Sequence, residues 1–155
     1  MLYNDLMITK NELETLLKEA MRSGNDVRKR TLRMVLSAIK LAEIDKSQAL
    51  DENGIAAILQ KEIKSRRESI ADAQRANRPD IITAAEAEIA VIDGFLPKPL
   101  APEEVENLVK QVITELGAAS PKDMGQVMKA LLPRLQGRAP GDQVSAVVRK
   151  LLQGQ

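Results

Sequence analysis

No cysteine and no histidine occur in the 155 residues, and the aromatic side chains are one tyrosine, Tyr3, and one phenylalanine, Phe95. Each absence removes chemistry. Without cysteine there is no disulfide, no thiolate nucleophile and no Cys-bound zinc, as suits a reducing compartment. Without histidine the commonest general base and the commonest transition-metal ligand are gone together. Two aromatic rings are too few for base stacking to be the grip on a single-stranded nucleic acid. Charge of one sign is missing too: 23 basic residues face 22 acidic ones, so an electrostatic partner has to be met by a local patch. No apolar run approaches the length of a membrane helix, and Asp5, Glu12 and Glu14 stand where a targeting segment needs an apolar stretch. The expectation is a soluble, cytoplasmic protein without membrane association, of one domain or two small ones.

What is present is helical periodicity. Thr9 with Glu12 forms a capping-box start for a first helix whose stripe is Leu13, Leu16, Leu17 and Ala20, ended by Ser23-Gly24. Asp26 is the expected N-cap of a second helix, with Leu32, Val35, Leu36, Ile39 and Ala42 on one face. Its flank carries Lys29, Arg33 and Lys40, which read as a solvated face. Asp51 caps a third helix to about Ala76, with Ile55, Ile58, Leu59, Ile63, Ile70 and Ala73 inward. Glu62 and Arg66 fall inside that apolar face at i, i+4, the geometry of a structural ion pair at a helix crossing rather than of a catalytic carboxylate. Arg78-Pro79-Asp80 breaks the pattern. A fourth helix follows, with Ile82, Ala85, Ile89 and Ile92 on its stripe and Glu86, Glu88 and Asp93 off it. No Lys or Arg occurs between Pro79 and Pro97, so this acidic helix is expected against the basic second or third one.

Leu96-Pro97-Lys98-Pro99-Leu100-Ala101-Pro102 cannot continue a helix and favours an extended connector. It divides the chain into two expected helical domains, 1–96 and 97–155. Pro102 with Glu103 and Glu104 opens a fifth helix through Val105, Leu108, Val109, Val112 and Leu116, stopped by Gly117. Ser120-Pro121-Lys122-Asp123 opens a sixth, with Val127, Met128, Leu131 and Leu132, which Pro133 is expected to kink or end. After a turn at Gly137, a last helix runs from about Asp142 through Val144, Val147, Val148 and Leu151. No segment alternates as a half-buried strand does. The fold class is all-α.

Catalytic motifs are missing: there is no His/Cys pair, no serine in a nucleophile elbow and no phosphate loop ending in Lys-Ser/Thr. Acids such as Glu103/Glu104 and Glu86/Glu88 do not converge at their spacings. No catalytic residue, cofactor or metal site is expected. The C-terminal segment looks more like a binder. From Pro121 onward Lys122, Lys129, Arg134, Arg138, Arg149 and Lys150 face only Asp123 and Asp142, a basic surface of the kind that contacts phosphates. Gly137 and Gly141 would let a backbone approach a phosphate at the start of the last helix. The alternative is that Gly137 only closes a helix and the charges serve solubility.

Met124-Gly125-Gln126-Val127-Met128-Lys129, followed by Gly137-Arg138-Ala139-Pro140 and the last apolar helix, resembles the C-terminal tail domain of GatB, the tRNA-binding subunit of glutamine-dependent aminoacyl-tRNA amidotransferase. The whole chain is similar to the free-standing YqeY family: Lys29-Arg30-Thr31-Leu32-Arg33-Met34, the run from Leu59 to Ile70, Arg78-Pro79-Asp80 and Phe95-Leu96-Pro97 all read like it. The resemblance implies two helical domains and contact with tRNA or a tRNA–enzyme complex. Lys129, Arg134, Arg138, Arg149 and Lys150 would meet the RNA, with Gly125 and Gly137 as close-approach glycines. It also implies a link to carbon–nitrogen ligase activity with glutamine as amido-N-donor, or docking on an amidotransferase or synthetase without RNA contact. Pro140-Gly141 departs from the acidic or Asn residue such chains carry before the last helix. Binding is carried over; catalysis by this chain alone is not.

Overall fold

The computed structural model describes residues 7–154, and every regular element among them is helical. The α-helices are α1 (Lys10–Ser23), α2 (Asp26–Lys46), α3 (Glu52–Arg75), α4 (Pro79–Asp93), α5 (Pro102–Leu116), α6 (Met124–Leu135) and α7 (Gly141–Gln153), with a 3-10 turn, Pro121–Asp123, ahead of α6. The chain groups into two compact units that meet between Leu96 and Pro97.

In the first unit the stripes anticipated on α1 to α4 turn inward. Leu13, Leu32, Val35, Ile39, Leu59 and Ile92 are completely buried together, each contributing about 1.5–3 kcal/mol by leaving water. Thr9 Oγ1 accepts from Glu12 N–H and Asp51 Oδ1 from Gly54 N–H, so both caps stand where expected. The cap of α2 is Asn25, one residue before the expected Asp26: Asn25 Oδ1 accepts from Arg28 N–H at 3.1 Å. Asp26 is instead the first helical residue and pairs with Lys29. Either side chain can cap; Asn25 is the one holding extended backbone.

Inside this unit lies a charge cluster. Arg66 is only 6% exposed. Its Nη1 donates to Glu62 Oε2 at 2.7 Å and to the Glu62 carbonyl at 3.1 Å, and its Nε donates to Glu88 Oε2 at 2.8 Å. Nη2 approaches Met34 Sδ at 3.6 Å, and Arg30 Nε stands 3.5 Å from Glu88 Oε1. Two cations and two carboxylates from α2, α3 and α4 thus neutralise one another. Burial alone pulls the Arg66 pKa down, but the hydrogen bonds it donates to Glu62 and Glu88 outweigh it and hold the guanidinium above its ordinary value. The pair expected at Glu62 and Arg66 is present, and the acidic helix does lie against α2 and α3. Glu88, placed off the apolar stripe by the sequence, is nonetheless half-buried as the second partner of Arg66. Nearby, the buried Thr31 hydroxyl has no hydrogen-bond partner among the described residues.

In the second unit α5, α6 and α7 pack around Val109, Val112, Val127, Leu131, Val144 and Val148. Gly117, at φ 64°, closes α5 as anticipated. Pro133 does not end α6, which runs on to Leu135. A proline one turn before a helix terminus removes a single intrahelical bond, the one to the Lys129 carbonyl, and buried Leu131 and Leu135 hold the last turn in place. The turn that follows has two left-handed residues, Gln136 (φ 50°) and Gly137 (φ 70°).

Arg66→Ala is expected to destabilise the chain by about 3 kcal/mol in urea unfolding, because it strands two partly buried carboxylates. The triple change Arg66→Met, Glu62→Gln, Glu88→Gln removes the uncompensated charge and is expected to recover most of that loss.

Candidate nucleic-acid interface

α6 starts where the Asp123 carboxylate accepts from the N–H groups of Ala119 and Ser120, at 2.9 and 3.2 Å. Val127, Leu131 and Leu135 then commit one side of the helix to the core. At about 100° per residue, Gly125, Lys129, Leu132 and Gln136 fall on the opposite side. All four are exposed, Leu132 by 50%. A Cβ built on Gly125 would meet no atom within 4 Å. Packing within the chain therefore does not demand glycine there, although glycine in a helix costs about 0.5–1 kcal/mol relative to alanine. Lys129 forms no ion pair among the described residues.

The other expected RNA-binding residues are distributed differently. Arg149 and Lys150 are exposed on α7, whose inner side is Val144, Val148 and Leu152, and they stand on either flank of the outer side. Arg134 Nη2 is bound to Glu115 Oε2 at 2.6 Å, bridging α6 to α5. Arg138 is half-buried: its Nε donates to the Lys98 carbonyl at 2.8 Å while its own carbonyl accepts from Leu100 N–H at 2.8 Å. The proline-rich segment is thereby clipped to the turn after α6. Gly137 serves that turn through its positive φ. At the start of α7 the Asp142 carboxylate accepts from Gln143 N–H at 2.9 Å, so an acid of the chain itself stands where a phosphate was anticipated.

The cations thus form no single cluster. Lys129, Arg149 and Lys150 project from outer helix faces, whereas Arg134 is paired with Glu115 and Arg138 is bonded to the Lys98 carbonyl. Neither partner was legible: Glu115 lies 19 residues from Arg134 and Lys98 lies 40 from Arg138, and pairs so distant leave no periodic trace. Glu88 was more accessible, since a helical wheel puts it roughly 60° from Ala85, beside the buried stripe. Among the described residues no group of three or more acids is placed to hold a metal ion. A pocket of about 410 Å³ lies in the first unit, between the starts of α1 and α3, with Met7, Lys10, Leu50 and Ile55 in its wall. No helix of the described residues is long and apolar enough to cross a membrane.

A sequence profile of the family described as Yqey-like protein matches residues 10–152. Among curated proteins, the chain is similar to "Altered inheritance of mitochondria protein 41, mitochondrial" from several fungi. The identity is 38% over 108 residues for that of Lachancea thermotolerans, covering 68% of this chain and 58% of the relative. It is 37% over 103 residues for that of Vanderwaltozyma polyspora, covering 64% and 56%. It is 28% over 130 residues for that of Pyrenophora tritici-repentis, covering 82% and 71%. The chain spans less than two thirds of the length of the first two. These names correct the expected cytoplasmic location, because the relatives are named as mitochondrial proteins. Composition could not have made the distinction: a chain without cysteine or a long apolar run suits any reducing aqueous compartment.

The Arg134–Glu115 bridge has a pH signature. The hydrogen bond from Arg134 holds the Glu115 carboxyl below the ordinary 4.5. A folded-state pKa below the unfolded one contributes stability above pH 4.5 that is lost as pH falls through the lowered value. In thermal melts the gap between wild type and Arg134→Ala is expected to be constant near neutrality, to narrow below pH 4.5 and to close once Glu115 is protonated.

Proposed function

The chain belongs to the YqeY family, and from that premise we propose that it is a non-catalytic helical protein whose C-terminal unit contacts tRNA or a tRNA–enzyme complex. The supporting observation is the outer side of α6, where exposed Gly125 stands one turn from exposed Lys129 with no use for either inside the chain. A glycine on a convex helix lets a sugar–phosphate backbone come close, and the lysine supplies the charge. Arg149 and Lys150 add phosphate contacts from α7. Arg134 and Arg138 shape the surface, Arg138 through the Lys98 clip. With Tyr3 and Phe95 the only aromatics, folded RNA is recognised by shape and backbone rather than by stacked bases. Residues 97–155 form a separable domain in this reading, so that fragment alone is expected to give a helical circular dichroism spectrum and a cooperative melt.

A second reading rests on exposed Leu132 and Leu116, at 50% and 46%. Apolar side chains on a binding surface favour a protein partner, an amidotransferase or synthetase on which the chain docks as an adaptor. Co-purification that survives nuclease and high salt would favour this reading over RNA contact. Carbon–nitrogen ligase activity with glutamine as amido-N-donor would then belong to the partner.

Filter binding of tRNA by the full chain across a salt series tests the first reading. Three phosphate contacts give a log–log slope of roughly −2 to −3, and Lys129→Ala is expected to reduce its magnitude by about 1. Gly125→Ala is expected to stabilise the fold by about 0.5–1 kcal/mol while weakening tRNA binding. No binding at low salt, or a Gly125→Ala protein that binds as well as wild type, counts against the proposed contact.

A further inference from the structure

α2 has a second side that its own unit covers only at one edge, where Arg30 reaches Glu88 and Met34 reaches Arg66. Met34, Leu41 and Ile44 are 46%, 63% and 62% exposed, and at about 100° per residue they fall within roughly a third of the helix circumference, together with Arg30, Arg33 and Lys40. Large apolar side chains gathered on one helix stripe and rimmed by charge mark a docking surface rather than a solvated one.

α4 carries the complement. Its outer side is a low strip of Ala84, Ala87 and Ala90, all exposed, edged by Glu86 and Asp93. No Lys or Arg occurs between Pro79 and Pro97. A flat alanine strip gives large side chains room to lie down. The charges also match in spacing. Arg33 and Lys40 are seven residues apart on α2, and Glu86 and Asp93 are seven apart on α4, so each pair spans roughly 10 Å along its axis. None of these four side chains makes an ion pair or hydrogen bond among the described residues. The acidic helix already shows its affinity for the basic one within the chain, where Glu88 meets Arg30 and Arg66.

We propose that the outer face of α2 takes the outer face of α4 from a second copy of this chain, Met34, Leu41 and Ile44 covering the alanine strip while Arg33 and Lys40 pair with Glu86 and Asp93. α2 and α4 pack against each other within the unit, so both halves of the contact sit on neighbouring helices and a two-fold axis makes it twice, closing a dimer. The apolar stripe provides the affinity; the matched charges set the register and disfavour like pairings of α2 with α2 or α4 with α4.

Sedimentation equilibrium of the full chain tests this, from micromolar to submillimolar concentration. A monomer–dimer equilibrium is expected. The double variant Arg33→Glu, Lys40→Glu and the double variant Glu86→Arg, Asp93→Arg should each weaken it at least about tenfold, and the combined quadruple variant should restore it to within about threefold. Leu41→Ser, which changes no charge, should weaken it independently. All the substituted side chains are exposed, and an unchanged circular dichroism spectrum verifies the fold of each variant. The proposal is overturned by a wild type that stays monomeric throughout, by a charge-reversed dimer as tight as wild type, or by a quadruple variant that does not recover. It is equally overturned if the wild type is monomeric and Arg33→Glu, Lys40→Glu instead abolishes tRNA binding, which would assign the face to nucleic acid.

Discussion

A guanidinium withdrawn from water has to have its charge answered, and Arg66 is answered from two sides. Glu62 comes from its own helix and Glu88 from α4, while Arg30 of α2 balances the second carboxylate. Isolated burial of such a charge costs several kcal/mol even after relaxation, so the three helices cannot shift in register without exposing that cost. To the apolar stripes of α2, α3 and α4 the ion cluster adds a polar requirement, that Glu62 and Glu88 both stay within reach of Arg66. The acidic character of α4 follows from the same constraint. It brings Glu88 inward, and having no cation of its own it leaves Glu86 and Asp93 without partners at the surface.

The second unit distributes its charges by another logic. Two of its arginines are tied into the fold, Arg134 across α5 and α6 and Arg138 onto the connector. Such bridges between exposed groups contribute little stability each, but they fix where neighbouring backbone lies. The Arg138 clip adds to what already anchors the connector, the fixed φ of its prolines, buried Pro97 and Leu100 packed against the core. The cations left over, Lys129 on α6 and Arg149 and Lys150 on α7, stay exposed on two different helices.

The all-α class and most helix ends were legible because capping and periodicity are local properties of the chain. Thr9, Asp51 and Gly117 announce their roles within four residues of where they act. The start of α2 was misplaced by one residue because Asn25 and Asp26 are equally good caps and only backbone conformation separates them. Of the two expectations for Pro133, a kink or an end, the end does not occur, because Leu131 and Leu135 on either side of it are buried. What the sequence could not convey was which charges are spent. Lys129 and Arg134 look alike in a list of basic residues, and only folding shows that one meets Glu115 and the other meets solvent.

Pro133 leaves one more mark on α6. It has no N–H to give, so the Lys129 carbonyl, one turn earlier, is an acceptor that the helix cannot serve. That oxygen needs a donor from outside the regular ladder. Drying this side of α6 therefore costs more than drying an ordinary helix face, unless the covering surface brings a hydrogen-bond donor of its own.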